Sequence, residues 1–404
     1  VPGWHKQVSD LVKNGDVQMV GIIQEQHPDR CRLFAQWQGF EWPILNDAIN
    51  VLPTRAVPVV IAIDEHGVVQ STRPRPDWVR NEFIKTDYPK PDETARTTDS
   101  DYVPYFSAKQ LKNPTESLLS ARGTLIWGAA AYQQTKAGSP EQTKSAEYFN
   151  KAIALYDGVI KEEPENAMAH FGRGVALRMR YESPLRQNGD FQAAVNAWGK
   201  ALDIDPNHYI YRRRIQQYGP RLTKPYPFYD WVPKARADIK ARGDEPVQLA
   251  VEPGGAEIAS PDRSFKTAEA ATNPDPKARI NTDKNGLVEI SSVTVPARVK
   301  PGQTTRIHLT LRTSGKAHWN NEAEPVQVWI DQPDGWQLQK NLFTLDQPKK
   351  PESTEARKVE LEAKLSANSE STRIKGYALF YVCEEADGTC LYLRRDFEIP
   401  IVVQ

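Results

Sequence analysis

The chain has 404 residues, in which 52 Lys plus Arg balance 52 Asp plus Glu, with 31 prolines. That length holds two to four domains with cores of their own, and the balanced charge excludes a global field for nucleic acid or an anionic membrane. Three cysteines and seven scattered histidines exclude a disulfide-dense scaffold and show no metal-ligand spacing, so neither a metal nor a cofactor is expected. The longest apolar run, Val57 to Ile63, is far too short for a membrane span. The chain opens on Val1 without Met and reads as a processed or truncated product, so a missing leader says nothing about export.

Residues 1–88 alternate short apolar runs with helical patterns. Val17 to Ile23 is predicted as a buried strand, and Asp29 to Gln38 as a helix with Leu33, Phe34 and Trp37 at helical spacing. Strands are predicted at Pro43–Asp47 and Val57–Ile63, followed by a turn at Asp64-Glu-His-Gly67. Asp77 is expected to cap a helix carrying Trp78, Val79 and Phe83. This order resembles the thioredoxin fold, and more narrowly the peroxiredoxin-like and TlpA-like redoxins. Its best motif is Val57-Pro58-Val59-Val60 ahead of Ile63-Asp64-Glu65-His66-Gly67.

The resemblance implies that Pro58 is cis and, with Val57, holds an extended substrate chain. Read without it, a proline opening a strand is an ordinary edge residue. The resemblance also implies a strand and a Cys-x-x-Cys ahead of the segment matching Val1-Pro-Gly-Trp-His5, and this sequence has neither. The domain is therefore expected to be truncated or catalytically silent. Cys31, on a helix without an activating partner, does not replace the missing pair.

Residues 89–113 are a polar, proline-bearing linker. Within 114–220, Ala152-x3-Tyr156-x2-Val159-x4-Pro164 and Ala194-x3-Trp198-x2-Ala201-x4-Pro206 share one spacing. It resembles the second helix of a tetratricopeptide repeat, where small residues let helices approach. The first repeat pairs Leu118–Tyr132 with Ala146–Glu162. The second pairs Ala167–Leu177, which carries Gly174, with a helix opened by Gly189-Asp-Phe191. His208 to Tyr218 is the expected capping helix, and Arg212-Arg213-Arg214 reads as a solvated or ion-paired face. Such repeats form either a groove for a protein partner, including a homo- or hetero-assembly, or a rigid spacer.

Residues 221–285 comprise an aromatic strap, Lys224 to Trp231, a short helix near Ala235–Arg242, and a flexible stretch from Gly254 to Asn285. From 286 to 404 strands alternate: Ile307, Leu309 and Leu311 share a face, as do Val326, Val328 and Ile330, then Val359 and Leu361, then Phe397, Ile399, Ile401 and Val403. Seven or so such strands read as an antiparallel sandwich of immunoglobulin type.

The end of this region carries Cys383-Glu-Glu-Ala-Asp-Gly-Thr-Cys390, whose Asp387-Gly388 is a hairpin-turn pair between aromatic-rich strands. Folding there brings the two sulfurs together, as a staple or as a redox centre. If Cys383 lies opposite Cys390, then Val382 faces Leu391 and Phe380 faces Leu393 on the core side, while Tyr381 and Tyr392 share the cysteines' face. The pattern over 287–404 resembles the amino-terminal domain of the DsbD family. The matching points are Val299-Lys-Pro-Gly-Gln303, Gly315-Lys-Ala-His-Trp319, Pro333-Asp-Gly-Trp336 and Tyr381-Val-Cys383 with Cys390-Leu-Tyr392.

That resemblance implies that Cys383 and Cys390 are the redox pair, passing electrons from a membrane or thioredoxin-like partner to an extracytoplasmic client. The multidomain expectation is thus an α/β thioredoxin-like segment, all-α repeat hairpins and an all-β sandwich. Together they would form a bacterial periplasmic or secreted thiol–disulfide oxidoreductase without nucleic-acid binding. The alternative is a non-catalytic scaffold or assembly subunit with a degenerate redoxin domain and a structural disulfide.

Overall fold

The computed structural model describes residues 2–51, 54–55, 59–91, 115–219, 222–223, 231–252, 260–261, 271–315, 317–366, 373–384 and 390–404. Nine α-helices and several sheets, most of them antiparallel, lie among these residues. They divide between two compact units.

The first unit comprises Val1–Arg186, Ala197–Arg214 and Tyr226–Pro253. It opens with a helix the sequence reading did not foresee, α1 (Pro2–Asn14), whose Val8 and Leu11 are buried with Val79 of α3 (Pro76–Asn81). Gly15 ends α1 with a positive φ of 82° and donates to Val12 O at 3.1 Å. Between them, β1 (Gly21–Ile23) runs parallel to β2 (Ile44–Asn46), joined through α2 (Asp29–Gln38). A hairpin of β3 (Ala62–Ile63) and β4 (Val69–Ser71) follows, and its turn is as expected: Asp64 accepts from the backbone of His66 and Val68, and Gly67 takes a φ of 82°.

Two expectations here change, and a third falls on residues that are not described. Only three residues of Val17–Ile23 form strand, and Val20 and Ile22 are 46% and 44% exposed, because an apolar run does not report whether a second layer covers it. Asp77 lies in the first turn of α3; Arg75 is the N-cap and makes no side-chain cap bond. Val57 and Pro58, with the proposed cis bond, lie outside the described residues.

The middle region is helical at α4 (Glu116–Gln133), α5 (Pro140–Glu162), α6 (Ala167–Tyr181), α7 (Asp190–Ile204), α8 (Tyr209–Tyr218) and α9 (Trp231–Ala241); α5 starts at Pro140 rather than Ala146, and α9 at Trp231 rather than Ala235. Thr115, Ser139 and Asn166 each cap a helix by accepting the N–H three residues on. The repeat positions Ala152, Tyr156, Val159, Ala194, Trp198 and Ala201 are all buried. The close approach falls at Gly128, where a Cβ would meet Tyr148 Cβ at 2.5 Å, and at Gly172 against Tyr156, two residues before Gly174.

The three consecutive arginines do not form a solvated face. Arg214 is 1% exposed and donates to Gln26 Oε1 at 2.9 Å, Ala48 O at 2.7 Å and Gln24 O at 3.2 Å. Arg213 pairs with Glu25 at 2.9 Å, so the ion-paired half of that expectation holds for it. From α4, Arg122 donates to Asn50 O and Val51 O at 2.8 and 2.7 Å. Both groups of carbonyls follow the carboxyl ends of β1 and β2.

The second unit comprises Gln187–Asn196, Ile215–Pro225 and Gly254–Gln404. A short antiparallel pair, β5 (Leu222–Thr223) and β6 (Ser260–Pro261), precedes its main sheets. The strands that follow are β7 (Val288–Val295), β8 (Arg298–Val299), β9 (Thr304–Thr313), β10 (Ala317–Asn320), β11 (Gln327–Ile330), β12 (Trp336–Leu338), β13 (Leu342–Thr344), β14 (Glu352–Ser353), β15 (Arg357–Leu365), β16 (Arg373–Glu384), β17 (Cys390–Pro400) and β18 (Val402–Val403). One sheet has the order β12-β15-β9-β7. The other has β13-β11-β16-β10-β14, with β17 also on β16. They share one core, to which Ile307, Leu309 and Leu311 contribute from β9, Val359 and Leu361 from β15, and Phe380 and Val382 from β16.

The outer face of β16 has its own cover. Trp329, Tyr377 and Leu379 are buried there with Ala271 and Ile280 packed against them. Asp275 accepts from Arg279 N and Arg394 Nη1, and the backbones of Asn281, Asp283 and Arg394 are hydrogen-bonded. Residues 271–285, expected to be flexible, are therefore fixed by a buried carboxylate that composition does not reveal. Three of the histidines are buried: His27, His208 and His308 are 8%, 5% and 6% exposed.

Candidate functional site

Strand β16 is the spine of the site. β17 pairs along its whole length on one edge, while β10 and β11 pair in tandem on the other. Cys383 on β16 opposes Cys390 on β17 across the ladder and is bonded to it, with the Cα atoms 4.0 Å apart. Asp387 and Gly388, expected as the turn between the two strands, lie outside the described residues.

Strand parity places the pair away from the core. Val382 opposes Leu391 and Phe380 opposes Leu393, and both β16 residues of these pairs are fully buried. The cysteines share the opposite face with Tyr381 and Tyr392, which oppose one another and stack with ring centroids 4.4 Å apart at 20°. The stack lies one pair along the same face from the cysteines, and Tyr392 is exposed.

The two sulfur-bearing residues are unequal. Cys383, on the interior strand between β10 and β17, is 4% exposed, whereas Cys390 at the start of β17 is exposed. Exchange at a disulfide depends on which sulfur is reached and how well the other leaves. An attacking thiolate would meet Cys390, leaving Cys383 as the displaced sulfur. Around the pair, a hydrogen bond to Glu324 holds the Tyr381 phenol above its ordinary pKa, and partial burial followed by Glu324 raises that of Tyr392.

One neighbour escaped the sequence reading. His318 of β10 opposes Cys383 on the side away from Cys390, so three strands set His318, Cys383 and Cys390 in one row. Its Nε2 lies 3.4 Å from Glu352 Oε1. The Gly315-Lys-Ala-His-Trp319 segment carried the signal, but only the pairing of β10 with β16 gives it a place.

The other sequence candidates stand apart from this row. Cys31 is half-buried on α2, where burial and then the Glu25 charge push its thiol up to about 11, so it is a poor nucleophile. Among the described residues no three His, Cys, Asp or Glu side chains are grouped to hold a metal ion, and no helix is long and apolar enough to cross a membrane.

No protein-family model matches the chain. No curated protein matches it either. Among solved structures, AvmM, which catalyses macrocyclization in alchivemycin A biosynthesis, is 9% identical over 30% of this chain and 95% of its own, at a TM-score of 0.20. The N-terminal periplasmic domain of ScsB from Proteus mirabilis is 9% identical over 32% of this chain and 49% of its own, at a TM-score of 0.17. A FixG-related protein from Vibrio parahaemolyticus is 8% identical over 29% of this chain and 96% of its own, at a TM-score of 0.14. At such scores these likenesses carry no weight for function.

Proposed function

We propose that the chain is a thiol–disulfide exchange protein whose redox pair is Cys383–Cys390. The observation that carries this reading is the unequal pair on the face away from the core, with an exposed sulfur-bearing residue beside an exposed aromatic and a buried one behind it. A partner thiolate attacks the Cys390 sulfur, the Cys383–Cys390 bond breaks, and Cys383 leaves with the electron pair. A second partner thiol then displaces Cys390, leaving the partner oxidised and this pair reduced. In the opposite direction, the Cys390 thiolate attacks a client disulfide and Cys383 closes on Cys390 to release the client.

Tyr381 and Tyr392 are the contact surface for that partner. Val57 and Pro58 would hold an extended chain if the first segment is the thioredoxin-like domain its motif resembles. The helical hairpins, read as tetratricopeptide repeats, would hold the protein partner, and the final domain is read as an immunoglobulin-type, DsbD-like sandwich. A disulfide pair that must persist between turnovers fits an oxidising, extracytoplasmic compartment.

The burial of Cys383 favours a second reading, in which the bond is a staple in a non-catalytic scaffold or assembly subunit. Single-cysteine traps separate the two. With Cys31 replaced by Ser throughout, Cys383→Ser and Cys390→Ser proteins are incubated with glutathione disulfide, and mixed disulfides are followed by mass. The exchange reading expects Cys383→Ser to be captured at least about tenfold faster through Cys390 than Cys390→Ser through its buried thiol. Slow capture of both would support the staple.

A further inference from the structure

We propose that His318 is the base that deprotonates Cys383 when that thiol closes the disulfide, with Glu352 orienting the imidazole. The inference rests on the exchange reading above and deepens it by dividing the labour between the two sulfurs. Directly opposed residues of an antiparallel pair carry their Cβ atoms about 4.5–5.5 Å apart on one face. His318 and Cys383 are such a pair, so their side chains leave the sheet on the same face as direct neighbours. Cys390 holds the equivalent place on the other side of Cys383.

The chemistry needs a proton acceptor at this position. Cys390 is exposed, and water serves its ionisation. Cys383 is 4% exposed, and burial disfavours a thiolate. In its reduced form it would stay protonated near neutral pH and close slowly unless a neighbour accepts the proton. His318 is at hand, its side chain 14% exposed against 66% for Glu352. When Nε2–H donates to the Glu352 carboxylate, the basic lone pair is left on Nδ1. The titratable groups nearest the row on this face are Tyr381 of β16, Tyr392 and Arg394 of β17, Asp275, which pairs with Arg394, and Glu324, which hydrogen-bonds Tyr381.

The step balances. In the mixed disulfide between Cys390 and a client, the Cys383 S–H proton passes to His318. The Cys383 sulfur then attacks the Cys390 sulfur, forming the Sγ–Sγ bond, and the client sulfur departs with the electron pair of the broken bond. The two cysteines are oxidised by two electrons and the client disulfide is reduced. In reverse, the imidazolium returns the proton to Cys383 as it leaves.

The test uses the full chain carrying Cys31→Ser, reduced and desalted, then mixed in a stopped-flow instrument with the aromatic disulfide 5,5′-dithiobis(2-nitrobenzoate). Attack by Cys390 releases the first thionitrobenzoate, and closure by Cys383 releases the second. With His318→Gln, the second phase is expected to slow about tenfold at pH 6.5–7 while the first is unchanged. The deficit should shrink steadily as the pH rises and hydroxide takes over the deprotonation of the thiol. Glu352→Gln, at an exposed site that tolerates exchange, should slow the second phase about threefold over the same low-pH range. Two phases with the same pH profile in wild type and both variants would overturn the role of His318 while leaving the exchange reading intact. A folded chain whose pair resists reduction, or which releases no second thionitrobenzoate, would overturn both.

Discussion

Arg214→Ala is expected to destabilise the first unit by about 3 kcal/mol, since each buried acceptor left without its donor costs roughly 1–3 kcal/mol. The guanidinium is 1% exposed and donates to Gln26 Oε1, Gln24 O and Ala48 O. It also lies 5.0 Å from the Phe171 ring centroid and 5.2 Å from that of Trp198, contacts that strengthen when desolvated. Arg214→Lys keeps the charge but not the planar fork, and should recover less than half of the loss. Urea unfolding followed by far-ultraviolet circular dichroism measures both. A loss below about 0.5 kcal/mol for Arg214→Ala, the range of an ordinary surface change, would show that the buried fork contributes nothing.

Phe380→Ala should cost about 3–5 kcal/mol in the second unit, the range for deleting a buried aromatic from a packed core. Phe380 is fully buried on the core side of β16 and meets Trp319 edge-on at 5.9 Å. Trp319 in turn donates its indole N–H to Glu355 O at 2.8 Å. Tyr392→Ala, on the exposed face one row from the disulfide, should cost under about 1 kcal/mol. The contrast is measured on oxidised protein, so that the disulfide stays intact in every variant. Equal losses at the two positions would contradict the assignment of opposite faces to β16.

The same alternation explains what the sequence could reveal. Parity is a strict period of two, so an assumed Cys383–Cys390 pairing placed Val382, Phe380, Tyr381 and Tyr392 on their faces before any coordinates. Although the cap Ser139, which acts within one turn, went unread and α5 was started at Ala146 instead of Pro140, the middle helices were legible from apolar spacing. The position of His318 was not, since the pairing of β10 with β16 is a long-range event that no local pattern encodes. Arg214 was misread for a related reason: a run of arginines looks solvated until buried carbonyls are known to await it. Asp275 likewise turned an apparently loose Ala/Pro/Lys/Thr stretch into an ordered cover. The α1 helix was missed although Val8 and Leu11 sit at helical spacing, because the resemblance drew attention to what should precede Val1 rather than to residues 2–14.

The central claim is that Cys383–Cys390 opens and closes in the folded protein. Equilibrating the Cys31→Ser chain with defined dithiol/disulfide buffers and counting free thiols gives the potential of the pair. An exchange centre predicts a midpoint between roughly −120 and −270 mV, the span of known dithiol oxidoreductases, whereas a pair still oxidised below about −300 mV would be a structural bond and would contradict the account.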